Sequence, residues 1–186
     1  MLHKFKDLNF GFVIIAPEHN IGNIMCTVRT IKNNYQGIQH ICVVGNNTST
    51  DEIKELNGVC LTIKGKNTIT SLINCGIKKG CKEWNVIVME GTPVKKGIDK
   101  KYSLFVENEK DVLFPIIMDY NRDGMPSKIR SSFEEASLNG MMIHQKTFKT
   151  VGDFVDAPIP TSKFMWALGA AEIGCKFKGV LGTALM

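Results

Sequence analysis

The chain has 186 residues, 44% hydrophobic and 22% charged, with six prolines; this composition excludes a disordered chain and suits one domain that buries a core without metal or disulfide staples. The net charge of +5 comes from 23 Lys and Arg against 18 Asp and Glu, a mild excess that favours phosphate-bearing ligands without defining a nucleic-acid groove. The apolar runs FVIIA, ICVV and VIVM are far shorter than the roughly 20 residues a membrane-spanning helix needs, so no membrane span is expected.

Residues 12–16 read as a continuous buried strand that runs into Pro17 and Glu18 without a small-residue cleavage site, so the N-terminus is read as the first core strand rather than a leader. Asn20 is placed to cap a helix with Ile21, Ile24, Met25, Val28 and Ile31 at helical intervals, ending at Asn33 and Asn34. Gly37 turns the chain into a second strand over 40–44, and the polar loop 45–51 leads to a short helix with Ile53 and Leu56 inward that ends at Gly58. A third strand over 59–63, a helix over 68–79 and a fourth strand over 84–89 complete a regular alternation. Beyond them the spacing predicts a loop over 91–101, a strand over 112–118, a polar loop over 119–130, a short strand over 141–143 and a helical stretch at 145–148. A last helix, capped by Thr161 or Ser162, closes at Gly174. The expected fold is a single-domain α/β sandwich, Rossmann-like, with a mostly parallel central sheet and helices on both faces.

Cys26, Cys42, Cys60, Cys75, Cys81 and Cys175 sit at apolar positions with no C-x-x-C pair, which points to buried thiols in a reducing compartment and a cytoplasmic location. The histidines lack zinc-ligand spacing, and no structural metal is expected. Lysines cluster at 78, 79 and 82 and at 95, 96, 100 and 101. No aromatics interleave with them to stack bases, so they read as solvated faces, and a nucleic-acid partner is weakly supported.

In an open parallel sheet, ligands bind beyond the carboxyl ends of the strands, which places the site at the loops after Ala16, Val44, Ile63 and Met89. These loops hold neither G-x-G-x-x-G nor a Walker loop, and the G-x-S-x-G elbow is absent as well. They offer Glu18, Asn20, Asn46, Asn47, Asp51, Asn67, Asn74 and Glu90, groups suited to the hydroxyl and imide edges of sugars and nucleosides. Asn74 beside Gly76 in mid-helix is costly for a helix and calls for a functional or packing reason.

The order of these segments resembles the GT-A type of nucleotide-sugar glycosyltransferase, and within it the inverting transferases of family 2. VIIAPEHN fits the first strand and Pro-x-x-Asn loop through Pro17 and Asn20. VVGNNTSTDEI keeps Thr48 or Ser49 and Asp51 of the second-strand motif while Gly45-Asn46-Asn47 replaces its acidic pair. SLINCGIKKGCKEWNVIVMEG reproduces the Asn-x-Gly helix and following strand with Asn74 and Gly76. NGMMIHQKTFKTVGDFVD and KFMWALGAAEIGCKFKGV resemble the acceptor half and the closing helix. The resemblance implies one domain over 1–186, with a nucleotide-binding half over about 1–91 and an acceptor half over about 92–186.

It further implies a nucleoside-diphosphate sugar as partner, bound by Pro17, Glu18, Asn20, Asn46, Asn47, Asn74 and Glu90, and an acceptor that the sequence does not name. Met89-Glu90-Gly91 stands where the family carries its metal-binding Asp-x-Asp, and one Glu does not anchor a hard cation. No cofactor is therefore assigned and Mn²⁺ is not favoured; Lys64, Lys66, Lys95 and Lys96 are the lysines nearest the diphosphate. The family's general-base pair falls on Ser162-Lys163, and an ammonium cannot accept a proton. Asp153 and Asp156 are the candidate catalytic replacements, with Asp119 weaker. The alternative is a catalytically silent module of the same fold, used for binding or assembly.

Overall fold

The chain was analysed as a computed structural model, which describes residues 8–18, 20–35, 40–45, 60–64, 68–80 and 82–183. Four strands, β1 (Phe10–Ala16), β2 (Ile41–Gly45), β3 (Cys60–Lys64) and β4 (Trp84–Met89), pair in parallel in the order β3-β2-β1-β4. The expected helix around Ile53 lies outside the described residues. β7 (Met142–His144) adds antiparallel to β4, and β5 (Asp111–Tyr120) adds antiparallel to β7. On its other side β5 pairs in parallel with β8 (Lys176–Leu181) over 111–116, while residues 117–120 pair antiparallel with β6 (Pro126–Arg130). The result is a mostly parallel, mixed eight-stranded sheet.

Every residue of β1 is buried, which is why its sequence is a continuous apolar run rather than an alternation. Phe10, Phe12, Ile14 and Ala16 face one core, shared with Ile24, Val28 and Ile31 of α1 (Ile21–Asn34) and with Ile98 and Tyr102 of α3 (Ile98–Ser103). Val13 and Ile15 face the other, shared with α2 (Ile69–Lys79), α4 (Gln145–Val151) and α5 (Ile159–Glu172) through Leu72, Ile73, Ile77, Phe148, Trp166 and Ala170. Helices thus cover both faces. Gly76 lies where α2 crosses the sheet: a Cβ there would collide with the Val13 side chain and stand 3.0 Å from Val44 Cγ2. The absent side chain is what lets the helix backbone approach so closely.

The second half departs from the sequence expectation at four places. The expected loop 91–101 contains α3, entered through Gly97 in the left-handed conformation, φ +86°. Buried Tyr35 and Tyr102 hold this segment to the sheet: Tyr35 Oη donates to Lys95 O at 2.6 Å and accepts from Ile98 N at 2.9 Å, and Tyr102 Oη donates to Gly140 O. Burial pushes the Tyr35 phenol up to about 12, so it remains protonated as this bridge requires.

The expected polar loop 119–130 is instead a hairpin. Its turn is organised by Asn121, whose Oδ1 accepts from Asp123 N at 3.0 Å and Met125 N at 2.9 Å. α5 begins earlier than expected, with Pro158 at the cap position and no side-chain cap bond; Ser162 Oγ donates to Val155 O at 2.7 Å instead. β8 follows Gly174, where no strand is expected from the residues alone.

His144 ends β7 and caps α4, its Nδ1 accepting from Lys146 N at 3.1 Å while its ring stands edge-on to Trp84 at 4.9 Å. Desolvation lowers its pKa from the ordinary value, against the opposing pull of Glu109 and Glu83, so the folded imidazole resists protonation. As pH falls below about 6.5 the unfolded chain takes up a proton that the folded chain does not, and stability must fall with it. Urea denaturation between about pH 7.5 and 5.5 is expected to show this loss, with a shallower slope in His144→Asn, which keeps a capping acceptor and cannot titrate. Equal slopes in the two proteins would remove His144 from the account.

Candidate functional site

The loops after β1 and β4 meet at the carboxyl edge of the sheet. Glu90, directly after β4, reaches across to the β1–α1 loop: its Oε1 accepts from Glu18 N at 2.8 Å and its Oε2 from Asn20 N at 2.9 Å. Glu90 N in turn donates to Ile15 O at 2.9 Å. Asn20 is the cap of α1, with Oδ1 accepting from Asn23 N at 3.1 Å. A carboxylate therefore already lies against the positive end of the α1 dipole. Pro17 and Glu18 form the bend between β1 and that cap, and Glu18 is exposed.

The β4 turn is fixed from a second side. Gly91 adopts φ +80° and its N donates to Asn23 O at 3.1 Å. Met89 N donates to Asn139 Oδ1 at 3.0 Å, and Asn139 Nδ2 donates to Thr92 Oγ1 at 3.2 Å. Glu18, Asn20, Asn23, Glu90, Thr92 and Asn139 thus form one polar rim joining three chain segments. Asn23, Thr92 and Asn139 were not singled out from the sequence; the signal available was Asn139-Gly140 ahead of the apolar strand MMIH. Asn46 and Asn47 lie outside the described residues, as do the side chain of Lys64 and all of Lys66. Lys95 and Lys96 are exposed but sit by the far end of α1 from Asn20, since Val94 O accepts from Asn34 Nδ2 at 2.7 Å and Lys95 O from Tyr35 Oη at 2.6 Å.

Asn74, Asp153 and Asp156 form a separate line along α2. Thr70 Oγ1 donates to Asp156 Oδ1 at 3.3 Å, Asn74 exchanges two hydrogen bonds with the Phe154 backbone at 2.7 and 2.9 Å, and Lys78 Nζ pairs with Asp153 Oδ2 at 2.5 Å. The partners fall at i, i+4 and i+8 of the helix, one face of it. At a rise of about 1.5 Å per residue, Asp156 is near the carboxyl edge while Asp153 lies about 12 Å further down the helix. Asn74 and Gly76 each have a packing reason: one clasps the 153–156 loop and the other admits the β-sheet side chains. Asp119 is on the hairpin, paired with Arg130 at 2.8 Å.

Ser162 and Lys163, where the resemblance expects the general base, point inward. Lys163 Nζ donates to Glu134 O at 2.7 Å and Ala136 O at 2.5 Å and lies 5.3 Å from the centre of the Phe133 ring. Desolvation lowers the Lys163 pKa, with Glu134 opposing. Its ammonium holds the 133–136 segment that leads to Asn139.

Glu90 directs both oxygens to backbone N–H groups, and among the described residues no group of three or more His, Cys, Asp or Glu side chains is arranged to hold a metal. Cys26, Cys42, Cys75 and Cys175 form no disulfide. No helix among the described residues is long and apolar enough to cross a membrane.

No family model matches the chain, and no curated protein matches it by sequence. Solved structures do match its fold. TarS 1-349 from S. aureus, in complex with UDP, superposes with a TM-score of 0.68 at 13% identity, covering 96% of this chain and 59% of that one. The bifunctional IspDF from Campylobacter jejuni gives a TM-score of 0.61 at 11% identity, covering 96% of this chain and 52% of that one. The 4-diphosphocytidyl-2C-methyl-D-erythritol synthase from Anaerococcus prevotii gives 0.61 at 14% identity, with 97% and 93% covered. The chain therefore has the GT-A-like, Rossmann-related α/β fold of these proteins, and it spans between about half and three fifths of the length of the first two.

Proposed function

We propose that the chain is a transferase that binds a nucleoside-diphosphate sugar at the carboxyl edge of the sheet without a divalent cation. The observation that supports it is the Glu90 bracket, which ties the β4 turn to the β1–α1 loop and fixes a polar rim of Glu18, Asn20, Asn23, Thr92 and Asn139 at the edge where open α/β sheets take ligands. Two proteins of the same fold add weight, one in complex with UDP and one named for a diphosphocytidyl product. With Glu90 turned to the backbone, the charge of the diphosphate is offset by lysines of the carboxyl edge, such as Lys64 at the end of β3.

Calorimetric titration with UDP, CDP and their sugar conjugates tests this reading. At least one is expected to bind with affinity indifferent to Mn²⁺ within about twofold, weaker at higher salt, and weakened more than about twofold in Glu18→Ala. Binding that strictly requires Mn²⁺, or no binding by any nucleotide, would overturn it.

A second reading, a nucleotide-binding module without turnover, is favoured by Lys163, whose ammonium is engaged by two carbonyls at the position of the family's base. Asp156, held by Thr70 near the carboxyl edge, is the better placed of the two candidate replacement bases. Slow donor-sugar hydrolysis that disappears in Asp156→Asn supports the enzyme. Binding with no hydrolysis supports the silent module.

A further inference from the structure

A cavity of about 700 Å³ opens at the amino edge of the sheet, opposite the β1 and β4 loops. It lies where Asn9 leads into β1, Glu83 and Trp84 open β4, residues 107–110 lead into β5 and His144 ends β7. Its size is within the roughly 300–1,000 Å³ usual for small-molecule sites.

The walls carry carboxylates whose charge is already matched. Glu109 Oε1 is 2.5 Å from Lys146 Nζ. Glu107 is 3.5 Å from Lys176 and 3.3 Å from Lys178, and Lys178 also holds the buried Asp111 at 3.0 Å. The lining itself holds Glu83, Glu107, Glu109 and Lys110, while Asp111, Lys146, Lys176 and Lys178 lie outside it; counted together, four acidic and four basic side chains cancel. The Glu107 and Glu109 pairs are between exposed side chains, and the Asp111–Lys178 pair is the buried one behind them.

Donors are present as well. Because His144 Nδ1 accepts from Lys146 N, the ring proton of the neutral imidazole is on Nε2. Asn9 contributes a side-chain amide and Trp84 and His144 an aromatic corner. A cation finds these carboxylates largely compensated, and an anion meets three of them in the wall. A neutral ligand rich in hydroxyls, each both donor and acceptor, matches this mixture without a charge mismatch.

We propose that the amino-edge cavity is a binding site for a neutral saccharide, separate from the carboxyl-edge site. The proposal is independent of the nucleotide reading, since its residues come from the opposite ends of the strands.

The test is titration of the nucleotide-free protein, followed by two-dimensional NMR, with glucose, N-acetylglucosamine and maltotriose, and with spermidine and inorganic phosphate as charged probes. The same titrations are made on a Glu83→Gln, Asn9→Ala double variant. Both residues are exposed, so the variant is expected to keep the wild-type melting temperature. At least one saccharide is expected to bind saturably, perturbing residues 83–84, 107–110 and 144, with affinity reduced at least about fivefold in the variant. Absence of saccharide binding, equal affinity in the two proteins, or tighter binding of spermidine or phosphate than of any saccharide would each overturn the proposal.

Discussion

Asp111→Ala is expected to lower the unfolding free energy by about 3–5 kcal/mol, the usual cost of removing one partner from a buried ion pair. Asp111 is fully buried at the start of β5, and its Oδ2 accepts from Glu107 N at 2.6 Å, Asn108 N at 3.2 Å and Lys178 Nζ at 3.0 Å. Truncation removes the acceptor of two backbone donors and the buried partner of an ammonium whose side chain is only 19% exposed, leaving it Phe105 O at 2.9 Å and Glu107 Oε1 at 3.3 Å. Three elements meet there, since Lys178 belongs to β8 and residues 107–108 lead in from α3. Urea denaturation is the measurement, with an unchanged slope as the check that the unfolded state is the same. A loss below about 1 kcal/mol would place the contact among solvent-screened surface bridges. Asp111→Asn, which keeps an acceptor and drops the charge, should fall between the two.

Asn74→Ala is expected to cost about 2–6 kcal/mol, because it leaves both the N–H and the C=O of Phe154 without partners at about 1–3 kcal/mol each. Asn74 is 9% exposed and Phe154 2% exposed, so water replaces those bonds poorly. Phe154 stacks on Trp166 of α5 at 4.9 Å, so the clasp also ties α2 to the last helix. The effect has a functional side: the loop it holds carries Asp156. A thermal melt of Asn74→Ala measures the cost. A melting temperature within about 2 °C of wild type would mean that the clasp contributes less than about 1 kcal/mol and that Asn74 is retained for another reason.

The first half of the fold was legible because its physics is local and periodic. Parallel strands buried on both faces must be continuous apolar runs, and Phe10–Ala16, Ile41–Gly45 and Trp84–Met89 read that way; β1 starts two residues before the expected 12–16, and β2 lies one residue beyond the expected 40–44. Asn20 and Thr68 are caps with the geometry their residue types favour. The hairpin β5–β6 was not legible, because its burial pattern is mostly exposed and no core face imposes a two-residue apolar alternation. β8 was hidden for a related reason: among the described residues KFKGVL pairs with β5 alone, and its lysines suit a sheet edge rather than a core. α3 depends on Gly97, on Tyr35 reaching it from the end of α1, and on its own Tyr102 reaching Gly140, distant contacts that no local window contains.

The candidate site divides in the same way. Residue types and the edge on which they fall follow from the sequence, since strand order in an alternating α/β chain brings the loops after β1 and β4 together whatever their side chains do. What each side chain does there was decided by tertiary structure. Glu90 could be read as a ligand group until its two oxygens were found on the backbone of Glu18 and Asn20, and Asn74 until its amide was found on Phe154. Lys163 followed the same course, from a mismatch with a family motif to the ammonium that fixes two carbonyls near Asn139. A sequence specifies which polar groups a chain has and, through apolar period, which face of an element is buried. It does not specify which distant backbone N–H or C=O lies within three ångströms of a given oxygen, because that distance is set by how separate elements pack.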